Sequence, residues 1–397
     1  MEGQDTNATP EVAVFGAGPA GLRAAEVIAA QGFRVTVFDQ KPSPGRKFLV
    51  AGRGGLNLTH SEPESLFLTH YRGGERWKEL LDAFSQEDLR EWAASLGVQT
   101  FVGTSGRVFP MEKQAGRLLR NWLKRLRASG VKFEMRSRFA GFQEDAIRVA
   151  DVAGSERVVR PAGAVFALGG GSWPQTGSDA VWTQLFQEQG IRIIPLQPSN
   201  CGFNVEWPPA LVPRIEGLPL KNIAASAGSV SVRGEVLLTK YGIEGGAIYR
   251  LTPELRSHPQ LTLDLKPDQS PGQLLSRLRK CPDLLKDATR GWRLSSAAAA
   301  LMEFYGDATS SNSLVKSVKA LRIPLTGPRP LQEAISSAGG VAWSELEDTL
   351  MLRRHPGWFV AGEMIDWEAP TGGYLLQGCF VTGTAAGLGL CEWLRQK

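Results

Sequence analysis

The sequence predicts an α/β fold around a parallel sheet, assembled from both ends of the chain and interrupted by an insertion. Three observations predict it. Residues 12–41, VAVFGAGPAGLRAAEVIAAQGFRVTVFDQK, run as apolar strand, glycine turn, helix, strand and acidic end. A second glycine turn, GGGSWPQTGSD, follows the apolar run 164–168. Near the C-terminus, PGWFVAGEMID reads as another buried strand, followed by a glycine pair and a long helix.

Each element has a local reason. Val12, Val14 and Phe15 make a short strand, and Gly16, Gly18 and Gly21 follow at G-x-G-x-x-G spacing to open a helix reaching about Gln31. Gly16 turns the chain, Gly18 lets the backbone approach a pyrophosphate, and Gly21 lets helix and strand pack closely. Pro19 and Ala20 begin the helix, whose N-terminus offers free N–H groups and about half a positive charge to phosphates. The strand 34–38 ends at Asp39, whose carboxylate can accept from ribose hydroxyls, with Gln40 and Lys41 beside it. An adenine dinucleotide is the ligand this frame fits.

After Asp39 comes a glycine-rich loop carrying Arg46, Lys47, Gly54 and Asn57, suited to backbone threaded along an extended flavin dinucleotide. Helical patterns follow at 75–96 and 113–129, strands at 131–136, 146–151 and 157–160, then a helix at 179–189 and a strand at 191–195. From Gln197 prolines punctuate short strands, with helical patterns at 271–280, 295–305 and 311–320. The expected division is a polar, disordered N-terminus at 1–10, a discontinuous dinucleotide domain at 11–196 and 330–397, and an insertion at 197–329.

Composition narrows the class. The chain has 397 residues, 42% hydrophobic and 21% charged, and no apolar run is expected to span a membrane. Residues 1–10 are unlike a signal peptide, so a cytoplasmic protein is expected. The four cysteines never form C-x-x-C, and the four histidines lack metal-ligand spacing, which argues against a redox pair and a metal site. The net charge is +5, and Arg117, Arg120, Lys124, Arg125 and Arg127 share one probable helix. Without a recognisable nucleic-acid module, a solvated helix face is the simpler reading.

Together the Gly16–Gly21 turn, RKFLVAGRGGLNLTH (46–60), ALGGGSWPQTGSD (167–179), YGIEGGAIYRL (241–251) and FVAGEMIDWEAPTGGYLLQG (359–378) resemble the aminoacetone oxidase-like FAD-binding flavoproteins. The resemblance covers nearly the whole chain. It implies a Rossmann-like FAD domain of the glutathione-reductase type, interrupted by a strand-rich plus helical insertion. Many members carry Gly-Gly-Arg-Cys-Asn where this chain has Arg53-Gly54-Gly55-Leu56-Asn57, and Gly-Leu-Ser-Gly-Pro-Ala where it has residues 242–247, so it marks a distinct subgroup.

The expected activity is that of an FAD-dependent oxidoreductase. A hydride would pass between flavin N5 and a small organic substrate, or NAD(P)H as transient donor, with oxygen or another acceptor reoxidising the flavin. FAD attachment is expected to be non-covalent, and the substrate to bind between insertion and FAD domain. Gly362 and Glu363 end a strand where an acid can meet the ribityl chain. Gly372, Gly373 and Tyr374 open a helix whose N–H groups can stabilise charge at flavin N1. Gly169 marks a further approach to the cofactor, and Arg46, Lys47 and Asn57 could line the pyrophosphate or ring edge. His60 and Tyr374 are the nearest acid–base candidates, though a packed or solvated side chain is the simpler reading of each. The expected partner is a small molecule, not a membrane or nucleic acid, and nothing in the sequence sets an oligomeric state. Two alternatives stay open: a nucleic-acid-associated, tRNA-modifying flavoprotein, and a non-catalytic FAD-binding redox sensor.

Overall fold

A computed structural model describes residues 10–52, 54–74, 76–111, 115–278 and 283–397. The expected disordered segment 1–10 lies outside them except for Pro10. The described residues form two compact units, the first taking the chain up to Gln197 together with Ser336–Lys397, the second Pro198–Ile335.

The first unit is built on a five-stranded parallel sheet. Its order is Trp358–Val360, Gly163–Phe166, Glu11–Phe15, Arg34–Asp39, Lys132–Met135, so strands from both ends of the chain lie side by side. The central strands read as apolar runs because both faces are covered, with Val12, Val14, Val37 and Val165 fully buried. The opening helix, Pro19–Ala30, and the closing helix, Tyr374–Arg395, pack against each other through small residues. A Cβ on Gly383 would stand 2.4 Å from the Ala20 carbonyl oxygen, and one on Gly387 3.0 Å from Val27 Cβ. Any larger side chain at these positions would separate the helices.

The local reading needs several corrections. The pattern at 75–96 is two helices, Trp77–Ala83 and Gln86–Ser95, because Ser85 caps the second with Asp88 in a reciprocal capping box. The 41–63 loop contains a short helix, Arg46–Ala51. Arg138–Gln143 is an unforeseen strand that pairs antiparallel with Ala146–Ala150. The closing helix does reach spanning length, 22 residues with a mean hydropathy of 1.3 over its most apolar stretch, against the expectation that no segment would. That stretch is 72% buried within the protein, which is why it is so apolar.

The second unit carries a seven-stranded antiparallel sheet whose longest pair is Pro219–Ala227 with Val230–Thr239. Helices Ser296–Tyr305 and Ser311–Lys319 contribute to its separate core, where Ile223, Leu263, Leu301 and Leu314 are buried.

Candidate dinucleotide and flavin site

The strands of a parallel sheet end in a crevice at their carboxyl edge, and the sequence-predicted residues gather there. Gly16 adopts φ +105°, and a Cβ on it would meet the Ala167 carbonyl oxygen at 2.2 Å. Gly21 sits so close to the turn that a Cβ would stand 1.9 Å from the Gly16 carbonyl oxygen. Gly18 differs from both: a Cβ there would meet nothing within 4 Å. It caps the opening helix with no side-chain hydrogen bond, and Pro19 occupies the first turn. Gly16 and Gly21 are demanded by the fold, and the open space at Gly18 leaves room for a pyrophosphate to approach.

Asp39 holds this turn in shape. Its Oδ2 accepts from the Ala17 N–H and its Oδ1 from the Lys41 N–H, both at 2.7 Å. Burial raises its pKa above the ordinary carboxylate value, against the opposing pull of these two bonds. Each oxygen keeps a lone pair for a ribose hydroxyl. Gln40 turns instead to the second glycine turn, donating to the Gly177 carbonyl at 2.9 Å and to Asp179 at 3.1 Å. Arg46 is exposed, with only a 3.4 Å bond to Ser43, and a Cβ on Gly54 would face open space.

Four segments distant in sequence converge on one ion pair. Lys47 Nζ donates to Glu363 Oε2 and to Ser172 Oγ, each at 2.7 Å. Glu363 Oε1 accepts from the Ser337 N–H at 2.8 Å, and Ser337 Oγ accepts from the Gly171 N–H. Lys47 therefore serves Glu363 rather than standing free in a basic loop. Gly169, at φ +77°, shapes the same turn, and its carbonyl accepts from the Trp182 indole. Ser172 and Ser337 were invisible to sequence reasoning, since serine in a glycine-rich segment carries no signal of a partner more than a hundred residues away.

Gly362, at φ +77°, brings this pair to both helices. A Cβ on it would stand 2.8 Å from Ala20 Cβ, and its N–H donates to Thr382 Oγ1 of the closing helix. Gly372 and Gly373 have φ +122° and +109°, and Gly373 caps the closing helix with no side-chain hydrogen bond. A Cβ on Gly373 would lie 2.5 Å from the Thr59 backbone, which sets residues 57–59 against the helix start. There Asn57 Oδ1 and Thr59 Oγ1 are buried without a hydrogen-bond partner among the described residues. Buried orphan acceptors are costly and call for a ligand or water.

The acid–base candidates also meet here. Tyr374 donates its hydroxyl to Glu62 Oε1 at 2.6 Å, and its ring lies beside His60 and His70. His60 has both ring nitrogens occupied, by the Glu62 N–H at 3.2 Å and the Ser105 carbonyl at 2.9 Å. Among the described residues no group of His, Cys, Asp and Glu could hold a metal ion.

A glycine turn open to phosphate, a ribose-facing acid and a second uncapped helix beside orphan acceptors fit an extended dinucleotide with a polar ring at its far end. That defines a Rossmann-type dinucleotide protein. The chain belongs to the HI0933-like family, whose Rossmann-domain description matches residues 10–389, and it is an FAD-binding oxidoreductase of that kind. It is 25% identical to the 3-dehydro-bile acid delta(4,6)-reductase of Clostridium scindens, over 96% of this chain and 99% of that one. It is 22% identical to the ribosomal RNA dihydrouridine synthase of Escherichia coli, over 92% and 94%. Among solved structures, the 3-ketosteroid-delta4-(5alpha)-dehydrogenase of Rhodococcus jostii superposes with TM-score 0.53 at 14% identity, covering 98% of each chain, which shows a shared fold.

Proposed function

We propose that the protein is an FAD-dependent reductase of a carbon–carbon double bond conjugated to a carbonyl group, with FAD held non-covalently and NAD(P)H as transient electron donor. The observation that carries the FAD half is the pair of uncapped helix N-termini, one at open Gly18 and one beside the orphaned Asn57 and Thr59 oxygens. The substrate class rests on chemistry shared by the two named relatives. A 3-oxo bile acid with Δ4,6 unsaturation and the uracil ring of uridine each offer a double bond conjugated to a carbonyl. Within the family, the motif pattern supports a place beside the aminoacetone oxidase-like flavoproteins, while the two named relatives favour reduction over amine oxidation.

Bound FAD would supply a two-electron hydride carrier at N5. The residues of this chain would bind and orient it. N–H groups of the Gly18–Gly21 turn take the pyrophosphate, and the remaining Asp39 lone pairs take ribose hydroxyls. The Lys47–Glu363 pair fixes the strand end, and N–H groups at the start of the closing helix face the polar ring edge. Two nearby side chains support non-covalent attachment: His60 has both nitrogens engaged, and burial, helped by the Glu363 carboxylate, pushes the Cys379 thiol up to about 12.

The test is anaerobic. Acid-released cofactor should be FAD, NADH or NADPH should bleach it, and one of 4-androstene-3,17-dione, a 3-oxo-Δ4,6 bile acid or a uridine oligonucleotide should restore the colour. Bleaching by amines with no response to any of the three acceptors would make it an oxidase and end this reading. A second reading, reduction of uracil within RNA, is favoured by the helix Ala115–Ala128. Arg120, Lys124 and Arg127 are exposed there, with no carboxylate partner among the described residues. RNA affinity falling steeply with salt would support it.

A further inference from the structure

A chain of ionisable groups reaches from the protein surface to the start of the closing helix. Glu62 Oε1 accepts the Tyr374 hydroxyl at 2.6 Å and lies 3.1 Å from His70 Nε2. The Tyr374 ring is enclosed by Phe67, His70, Tyr71 and His60 and is 5% exposed. The side chains of His70 and Glu62 keep 17% exposure each. One carboxylate oxygen therefore joins a solvent-touching imidazole to a buried phenol.

Among the described residues His60, Arg107 and Tyr71 also lie around the Tyr374 ring, and Tyr71 donates its hydroxyl to the Tyr374 carbonyl at 2.8 Å. His60 has both ring nitrogens engaged, Nδ1 by the Glu62 N–H and Nε2 by the Ser105 carbonyl. Arg107 Nε and the Tyr374 ring each lie 3.4 Å from where a Gly372 Cβ would stand. Tyr374 follows directly on Gly373, whose backbone packs on Thr59, the residue with an orphaned buried hydroxyl. The Tyr374 ring thus stands beside the helix start, one residue from the contact between Gly373 and Thr59.

We propose that Tyr374 is the proton donor to substrate, and that Glu62 and His70 are positioning residues that resupply its proton from solvent. The inference rests on the reductase reading. In the reduction of a conjugated double bond, the hydride that bound FAD would supply would add at the β-carbon and the π pair would move toward the carbonyl. The α-carbon must then gain a proton. The phenol O–H turns from Glu62 about its C–O bond and breaks as the α-carbon–hydrogen bond forms. The phenolate regains a proton from the His70 imidazolium through the Glu62 carboxylate, and water recharges His70. One hydride and one proton are added, and the protein returns to its starting state.

The experiment uses the full-length, FAD-loaded protein with the same three acceptors, under dithionite reduction. Tyr374→Phe should lower turnover roughly a hundredfold or more, the range for removing a general acid, with FAD affinity unchanged within about twofold. Glu62→Gln should lower turnover about tenfold. His70→Asn should slow turnover and flatten its pH dependence, with partial rescue by added imidazole. A readout without turnover accompanies these: ring 15N spectra of the four histidines. His70 should carry its proton on Nε2 in the wild type and lose that preference in Glu62→Leu. Wild-type turnover with equal rates in Tyr374→Phe overturns the proposal alone. A His70 ring indifferent to Glu62→Leu overturns the relay. A wild type that reduces none of the three acceptors sinks the reductase reading, and the catalytic role of Tyr374 with it.

Discussion

Gly18→Val separates what the fold demands from what the ligand demands. Gly18 has φ −79° and ψ 179°, which valine adopts without strain, and a Cβ there meets nothing within 4 Å. The folded chain should lose only about 0.5–1 kcal/mol, the difference between glycine and an aliphatic residue at a helix N-cap. In a domain of this size that is a shift of roughly 1–4 °C in the melting temperature. The isopropyl group would nevertheless fill the space a pyrophosphate needs, separating it from the helix N–H groups. Hydrogen bonds to a charged group contribute about 1.5–3 kcal/mol each, so losing one or two costs about 3 kcal/mol, roughly a hundredfold in affinity. Gly21→Val, whose Cβ would lie 1.9 Å from the Gly16 oxygen, should by contrast fail to fold. The assay is a thermal melt of flavin-free protein alongside FAD titration by flavin fluorescence. A Gly18→Val protein that folds and binds FAD like the wild type would falsify the placement of the pyrophosphate.

Three further outcomes follow from the geometry. Burial pushes the Cys379 thiol up to about 12 and the Cys391 thiol up to about 11, so both should resist iodoacetamide in native protein at about pH 8 and react once unfolded, as read by peptide mass spectrometry. Burial holds the His355 imidazole below its ordinary 6.5, outweighing the Gln189 backbone hydrogen bond that raises it, and its Nε2 is buried without a partner. As pH falls from 6.5 toward the lower native value, the unfolded chain takes up a proton that the native state refuses, so stability is lost. His355→Phe, which keeps the stack on Trp358, should therefore lose less melting temperature than the wild type between about pH 7 and pH 5, and equal losses would refute this. A chain ending at Gln197 lacks the edge strand Trp358–Val360 and the closing helix, and should be insoluble or free of FAD. Soluble, yellow protein from that truncation would show that the C-terminal segment is dispensable.

The sequence by itself determined the strand–turn–helix–strand unit at 12–39, the return of sheet strands near the C-terminus and the glycine start of the closing helix. Each is written in neighbouring residues: glycines where φ is positive or backbones touch, apolar runs where both sheet faces are covered, and an acid at a strand end. The capping box at Ser85 was legible too, as serine followed three residues later by aspartate, but a continuous apolar period masked it. Only the tertiary structure decided the partners. Lys47 meets Glu363 across 316 positions and Tyr374 meets Glu62 across 312, and no local pattern encodes such a pairing. Gly16, Gly18 and Gly21 look alike as letters, yet Gly16 is closed by the distant Ala167 backbone, Gly21 by the folded turn itself, and Gly18 faces open space. Local propensity chooses the elements, whereas packing brings the side chains together and leaves room for the ligand.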